Sequence, residues 1–420
     1  MSGRQSQSKG ITVRKTQWGS AVLAAGLVVS LAACSNGGGG EVEGQDLTIL
    51  IGSSGDAETA AVQAAADAWA ADNDATVEVV AASDLGQQLS QGFAGDDAPD
   101  LFYMSWDQFA NYASNRYLEP YASELPNAGD FYPALVDTFT YDDTFTCAPK
   151  DFSTLGLIIN TDMWADAGLT DADVPTDWDS LEAAARKLTT GDTVGLSFGL
   201  EYARLGVFMN QAGGSLVSDD GTTVTADSAE NLAGLEYVQK LHDDGVLKWP
   251  AEIEAGWGGE ALGAGKAAMV IEGPWIKGIA GDFPDTNYAA YELPAGPSGP
   301  STFTFTNCWG IPQGSDTSAA ATSLVEYLTS DDQQLEFADA FGVIPSTEAA
   351  AATYAENYPE NASFVAGAEY AVSPVNFAGS ADVLADFNAQ LETLAGGDAQ
   401  GILSSLQSNL QAALDEANDN

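Results

Sequence analysis

From residue 46 onward, short continuous apolar runs alternate with longer stretches whose apolar positions recur at helical spacing. "DLTILIG" (46–52) is such a run, broken by Gly52, and predicts a buried strand. The Ser/Gly/Asp cluster opening "SSGDAETAAVQAAADAWAADN" marks a helix start, and Ala-rich periodicity carries the helix to Trp69. "ATVEVV" (75–80) predicts the next strand. "GDDAPDLFYM" sets turn residues before another, Leu101–Met104, and "SWDQFANYAS" opens a helix directly behind it. Strand, helix and strand in this order predict a parallel sheet in an α/β layer. Open α/β sheets bind ligands at the carboxyl ends of their strands, which here are Gly52–Glu58 and Ser105–Gln108.

A second unit starts near "STLGLIINTDMWADAG", where Leu155–Ile159 predicts a buried strand. "PTDWDSLEAAARKL" predicts a helix capped by Thr176 or Asp177, "VGLSFGL" (194–200) a strand, and "SAENLAGLEYVQKLHDDG" a further helix. "AAMVI" is the next strand, and Gly273-Pro274 stops its ladder because proline has no amide hydrogen to donate. Trp275 is left just past a strand end, a setting a core residue does not need. "LPAGPSGPST" (293–302) predicts a surface connection. The chain returns through "FTFTNCWGIP", two helices, the turn "VIPS", and helices around 380–395 and 399–417. No repeat of fixed period is present.

Length changes the picture first, since 420 residues exceed one ordinary core and imply two or three packed units. With 45% apolar and 10% aromatic residues the chain can build such cores. The formal charge of −48 repels polyanions, so nucleic acid and anionic lipid headgroups are not expected partners. Four basic residues, Arg4, Lys9, Arg14 and Lys15, precede an uncharged stretch from Trp18 to Ala33. That stretch is shorter than the roughly 20 residues a membrane span needs and reads as an export signal, residues 1–33. Leu31-Ala32-Ala33-Cys34 resembles a bacterial lipobox, which implies lipidation of Cys34, and 34–45 with its glycine run reads as a flexible tether. Cys147 and Cys308 remain, and in an exported protein two thiols are expected to be joined. With one histidine, His242 at a predicted helix end, a His-based metal cage is ruled out and a Ser-His-Asp triad is not expected. No metal or cofactor is expected.

The order of motifs resembles the family 1 extracellular solute-binding proteins of ABC importers, the group that includes maltodextrin- and oligosaccharide-binding proteins. The likeness is carried by "GDDAPDLFYMSWDQFANYASNRYLEPY", "GLIINTDMWADAGLTDADVPTDWDSLEAAARKLT", "GAGKAAMVIEGPW", "LPAGPSG" and "LTSDDQQLEFADAFGVIPS". It implies an α/β, two-lobe periplasmic-binding-protein-like fold with hinge-linked lobes and C-terminal helices. Lobe one then holds 46–149 plus 304–346, and lobe two 150–303 plus 347–420, with Cys147 and Cys308 where the chain crosses between them. The resemblance further implies a lipid-anchored binding protein at the outer face of the cell membrane, expected as a monomer. It would capture a carbohydrate and deliver it to the permease subunits of an importer, with no catalysis of its own.

A sugar presents hydroxyls at its rim and C–H patches on its faces, and an aromatic plane covering one face contributes about 1–2 kcal/mol. By position Trp275 resembles the stacking tryptophan of the maltodextrin-binding relatives; Trp106 follows a strand end, and Trp257 stands among glycines that leave room beside it. Trp309 reads equally as structural or ligand-facing. Carboxylates accept strongly from hydroxyls. Asp107, Asp151 and the pair Glu201 and Tyr202 match ligand contacts of the family. Asp56 and Glu58 stand at the first helix start, where they either bind ligand or favour the helix dipole. Glu272 ranks lower, with Lys266 or Lys277 as candidate partners. The basic lobe-one residues of the maltodextrin type are missing, which puts maltose itself in doubt. Competing readings are a non-sugar solute such as a polyamine, an exported glycoside hydrolase, and a purely structural surface lipoprotein.

Overall fold

The computed structural model describes residues 42–95, 97–218 and 220–419. The export signal, the lipobox with Cys34 and the tether to residue 41 lie outside the described residues. Val42 packs on the first core, and the Gly44 N–H donates to the Asn73 carbonyl at 3.0 Å. Among the described residues no helix is long and apolar enough to cross a membrane.

The strands are, in chain order, β1 (Asp46–Ile51), β2 (Thr76–Ala81), β3 (Leu101–Ser105), β4 (Thr140–Tyr141), β5 (Thr144–Phe145), β6 (Ala148–Thr154), β7 (Gly156–Asn160), β8 (Val194–Ser197), β9 (Leu247–Lys248), β10 (Ala267–Glu272), β11 (Tyr288–Tyr291), β12 (Thr302–Gly310) and β13 (Ala371–Val372). They form two main sheets, ordered β13-β12-β3-β1-β2 with β6 added on β12, and β11-β7-β10-β8-β9. β1 lies parallel to β2 and β3, as the strand–helix–strand order predicts, while β12 runs antiparallel to β3 and β6. In the second sheet β10 is parallel to β8 and antiparallel to β7.

Each sheet has its own core. In β1 the run of Leu47, Ile49, Leu50 and Ile51 is buried beneath Val62, Ala65, Ala66 and Trp69 of the helix Asp56–Asp72, so the helix begins where the strand's carboxyl end opens. The second core joins Leu157, Leu196, Met269 and Ile271 to Phe387, Leu403 and Leu410 of the last two helices, Ser380–Leu391 and Ala399–Asp419. Two lobes of α/β architecture result, with the C-terminal helices packed on the second.

β6 and β12 connect the cores. Ala148 and Trp309 sit in the first core and Leu155 and Phe303 in the second, so both strands cross within a few residues. A third segment crosses beside them, where Ile344 bridges Phe152. Cys147 and Cys308 form a disulfide at the lobe-one end of the crossing, with Cα atoms 5.6 Å apart and both residues buried. The ladder between β6 and β12 shifts register at Asn307/Cys308, which bends the ribbon as it leaves the first sheet. Trp309 is buried against Tyr103 at 5.0 Å, which settles its reading as structural. His242 stacks on Trp249 and meets Glu252 at 3.0 Å near its helix end, also a structural role.

Candidate functional site

A cavity of about 580 Å³ lies between the lobes. One wall comes from the carboxyl ends of β1 and β3 (Gly52, Ser54, Glu58, Tyr103, Ser105, Trp106), and the floor from β6 and β12 (Asp151, Ser153, Phe305, Asn307). The opposite wall is the 3-10 turn Pro274–Gly281 behind β10, with Trp275 and Lys277, and Phe341, Gly342 and Val343 close one side. Both strand ends singled out by the sequence therefore face this cavity.

Three rings line it in series. Phe305 stands edge-on between two indoles, 6.4 Å from Trp106 and 6.4 Å from Trp275. Trp275 is 38% exposed, far more than a core indole, because Gly273-Pro274 ends β10 and turns the chain outward. A Cβ on residue 273 would lie 2.2 Å from that ring, so the indole folds back over its own backbone and only glycine fits beneath it.

The acids of the floor are organised by one cation. The Lys150 ammonium, its side chain 6% exposed, contacts the Asp151 carboxylate and Glu58 Oε1 at 3.4 Å, and lies 4.4 Å from the centre of the Tyr103 ring. Glu58 also accepts from the Ser54 N–H and hydroxyl, each at 2.7 Å, and from the Tyr103 hydroxyl at 3.0 Å. Burial by itself would raise the Glu58 carboxyl, but Lys150 and these donors hold it below its ordinary value. Burial does prevail at Asp151, pushing that carboxyl up against the pull of Lys150. Asp151 Oδ1, the Asn307 side chain and the Ser105 hydroxyl line the cavity without a partner among the described residues, so acceptors and donors for ligand hydroxyls stand together there.

Glu58, Trp106, Asp151 and Trp275 are thus brought together, and the other sequence candidates stand elsewhere. Asp107 and Tyr202 border a smaller cavity of about 250 Å³ on the far side of Trp106 and Phe305. The Tyr202 ring is buried against Phe303 at 5.2 Å, so it forms a wall behind that cavity. Glu201 is outside both cavities and accepts from Arg204 at 2.7 Å. Trp257 folds over Gly259, where a Cβ would meet its ring at 2.1 Å, and packs into the apolar cluster behind β10. Asp56 is exposed at the helix start, outside the cavity. Glu272 pairs with neither Lys266 nor Lys277. Those lysines donate to the Glu254 and Phe341 carbonyls at 2.8 and 3.1 Å, and Glu272 receives Arg204 instead.

Lys150, Phe305, Phe341 and Arg204 were not singled out by sequence, and Lys277 was named only as a candidate partner of Glu272. For Lys150 a signal exists: a cation beside Asp151 in an apolar run is informative in a chain with 13 basic and 61 acidic residues. For Phe305 the alternation in "FTFTNCWG" gives the face it shares with Phe303 but not which lobe covers it.

Two α/β lobes, a crossing ribbon and an aromatic cavity between them define a hinged binding protein. The description of bacterial extracellular solute-binding proteins matches residues 64–365, and the chain belongs to that family. A lactose-binding protein of Rhizobium radiobacter is 25% identical over 226 residues, 50% of this chain and 52% of that protein, so the match spans about half the relative's length. Among solved structures, a cyclic alpha-maltosyl-1,6-maltose binding protein from Arthrobacter globiformis has a TM-score of 0.79 at 22% identity over 88% of this chain and 99% of that one. An ABC substrate-binding protein from Listeria monocytogenes in complex with cycloalternan has a TM-score of 0.76 at 21% identity over 89% and 100%. At these identities the structural likenesses establish the fold.

Proposed function

We propose that this protein captures a carbohydrate, an oligosaccharide by the character of its relatives, between its lobes and passes it to the permease subunits of an ABC importer. It works at the outer face of the membrane, held by a lipid on Cys34, as a monomer and without a cofactor. The observation that carries the reading is the series Trp106, Phe305 and Trp275 set over a polar floor with Asp151 Oδ1 and Asn307. Rings that cover apolar faces, beside acceptors and donors that meet a rim, complement a sugar and little else of that size. Lactose, cycloalternan and cyclic maltosyl-maltose, named for the relatives, share that chemistry.

The supporting mechanism is hinge closure. β6, β12 and the segment at Ile344 are the short crossings, and bending there brings the Trp275 turn toward the Trp106 wall. Hydrolysis needs two carboxyl groups facing one bond with separated proton affinities. The acids of this cleft share the Lys150 ammonium instead, which favours binding over catalysis.

A thermal-shift panel of mono- to tetrasaccharides, with spermidine as the cationic comparison, tests the reading. A saturable rise in melting temperature with sugars is expected. A rise with spermidine and none with any sugar would move the function to cationic solutes, and release of monosaccharide from labelled oligosaccharides at enzyme-like rates would overturn it altogether.

A further inference from the structure

Trp275 is the most solvent-exposed ring of the cleft, and exposure alone does not tell an indole which way to face. Its orientation comes from hydrogen bonding. The Trp275 Nε1–H donates to Glu272 Oε2 at 2.9 Å, and the same oxygen accepts from Arg204 Nη2 at 2.6 Å. Arg204 Nη1 donates to Glu201 Oε1 at 2.7 Å, so one guanidinium spans two carboxylates from different elements. Glu201 directly precedes the helix Tyr202–Gln211, and Glu272 ends β10. The guanidinium carbon lies 5.7 Å from the centre of the Trp275 ring, within cation–π range. Close packing fixes the acid as well: a Cβ on residue 258 would come 2.5 Å from Glu272 Oε1.

We infer that Arg204 is a positioning residue for Trp275, acting through Glu272 to set the indole face presented to the ligand. Glu272 is 2% exposed, and a carboxylate so buried is held in place by a charged donor beside it. Arg204 is that donor. Without it Glu272 loses its charged donor and is free to turn away, and the indole loses its strongest acceptor. Lysine is not equivalent, because a point ammonium lacks the planar fork whose two nitrogens each meet a different carboxylate while the plane sets the angle to the ring. The Arg204 Nε–H is buried without an acceptor among the described residues. No part of this assignment requires a ligand to be present, although its use to the protein rests on the proposed stacking role of Trp275.

The test reads the indole directly. In the unliganded protein with nitrogen-15-labelled tryptophan, the Trp275 side-chain N–H is identified by its loss in Trp275→Phe. In the wild type it is expected to resonate downfield and exchange slowly with water, as a donor to a carboxylate does. Arg204→Lys and Arg204→Met are both expected to move it upfield and speed its exchange by about tenfold or more, the loss of one charge-assisted bond. Thermal melts confirm the fold, and should Arg204→Met not fold, Arg204→Lys alone decides. An unchanged resonance and exchange rate in Arg204→Lys overturns the assignment. Maltotetraose affinity, measured in parallel, is expected to fall by about tenfold in both variants. A wild type that ignores maltotetraose while Arg204→Lys shifts the indole supports the positioning role and counts against a maltodextrin ligand, whereas the absence of a response to every sugar of the panel counts against the carbohydrate reading.

Discussion

Lys150 on the cleft floor and Arg204 behind the lobe-two rim each hold two carboxylates with one positive charge, yet they are built to different ends. Lys150 is enclosed: Glu58 and Asp151 have side-chain exposures of 5% and 11%, and the rings of Tyr103 and Phe341 flank the ammonium. Arg204 bridges unequal partners, Glu272 at 3% and Glu201 at 34% exposure. One Arg204 acid can therefore turn outward to bulk water, whereas the Lys150 acids meet solvent only through the cleft. The compact ammonium neutralises the two acids of the cleft floor, whereas the planar fork fixes an angle between two elements and a ring. The first cluster governs whether the floor holds together, and the second governs how a ring faces the ligand.

Removing each cation separates these roles. Lys150→Met leaves two buried carboxylates facing each other, and urea unfolding at pH 7 is expected to show a loss of about 3–5 kcal/mol. Arg204→Met is expected to cost about 1–3 kcal/mol, because Glu201 regains water and only Glu272 is left buried without its cation. Equal losses would erase the distinction. Replacing both cysteines, Cys147→Ser with Cys308→Ser, is expected to cost on the order of 2–4 kcal/mol by freeing the unfolded chain. Because β6 leaves the disulfide three residues before Lys150, this double variant should also lower the unfolding cost of Lys150→Met while leaving that of Arg204→Met unchanged. Trp275→Ala inverts the pattern. Stability should fall by no more than about 1–2 kcal/mol, since the ring is already 38% exposed, while affinity for a bound sugar falls at least about tenfold by calorimetric titration.

The contrast also explains what the sequence could and could not convey. The apolar runs of β1, β3 and β10 are local, and so is the Gly273-Pro274 stop that turns Trp275 outward; each follows from a few adjacent residues. The disulfide followed from compartment chemistry and an even count of remaining thiols. The Lys150 cluster is different, because it needs the helix start after β1, the end of β3 and the β6 crossing to converge, and no short window contains them. Arg204 lies in the same turn as Glu201, three residues on, so the acid that looked free for ligand was already taken by its own helix neighbour. The glycines around Trp257 suggested space beside it; in the fold they let the ring close onto the backbone instead. Long-range pairing decides which polar groups remain free, and periodicity carries no record of it.

Acid titration gives the finest division between the clusters. Glu58 has a folded pKa below its ordinary value, so the unfolded chain binds its proton first and the native state gains stability above the unfolded value near 4.3. That stability is lost as pH falls through the lowered folded value. Asp151 and Glu201 have folded values raised by burial, so the native state binds their protons first, and both carboxylates oppose folding once ionised. Acidification from neutral pH should therefore relieve a cost at both clusters before it removes a support at the Lys150 cluster alone. Urea midpoints measured against pH, taken as wild type minus variant, isolate these limbs from the background of the other acids. The Asp151→Asn difference curve is expected to rise as pH falls from 7 toward the ordinary aspartate value near 3.9. The Glu58→Gln curve is expected to fall below about 4.3 and to stay flat above it. Glu201→Gln should follow the sign of Asp151→Asn with a smaller amplitude, since that carboxylate keeps part of its water. A falling low-pH limb in Glu201→Gln would mean that the Arg204 cluster stabilises its acids as the Lys150 cluster stabilises Glu58, and the two would no longer differ in kind.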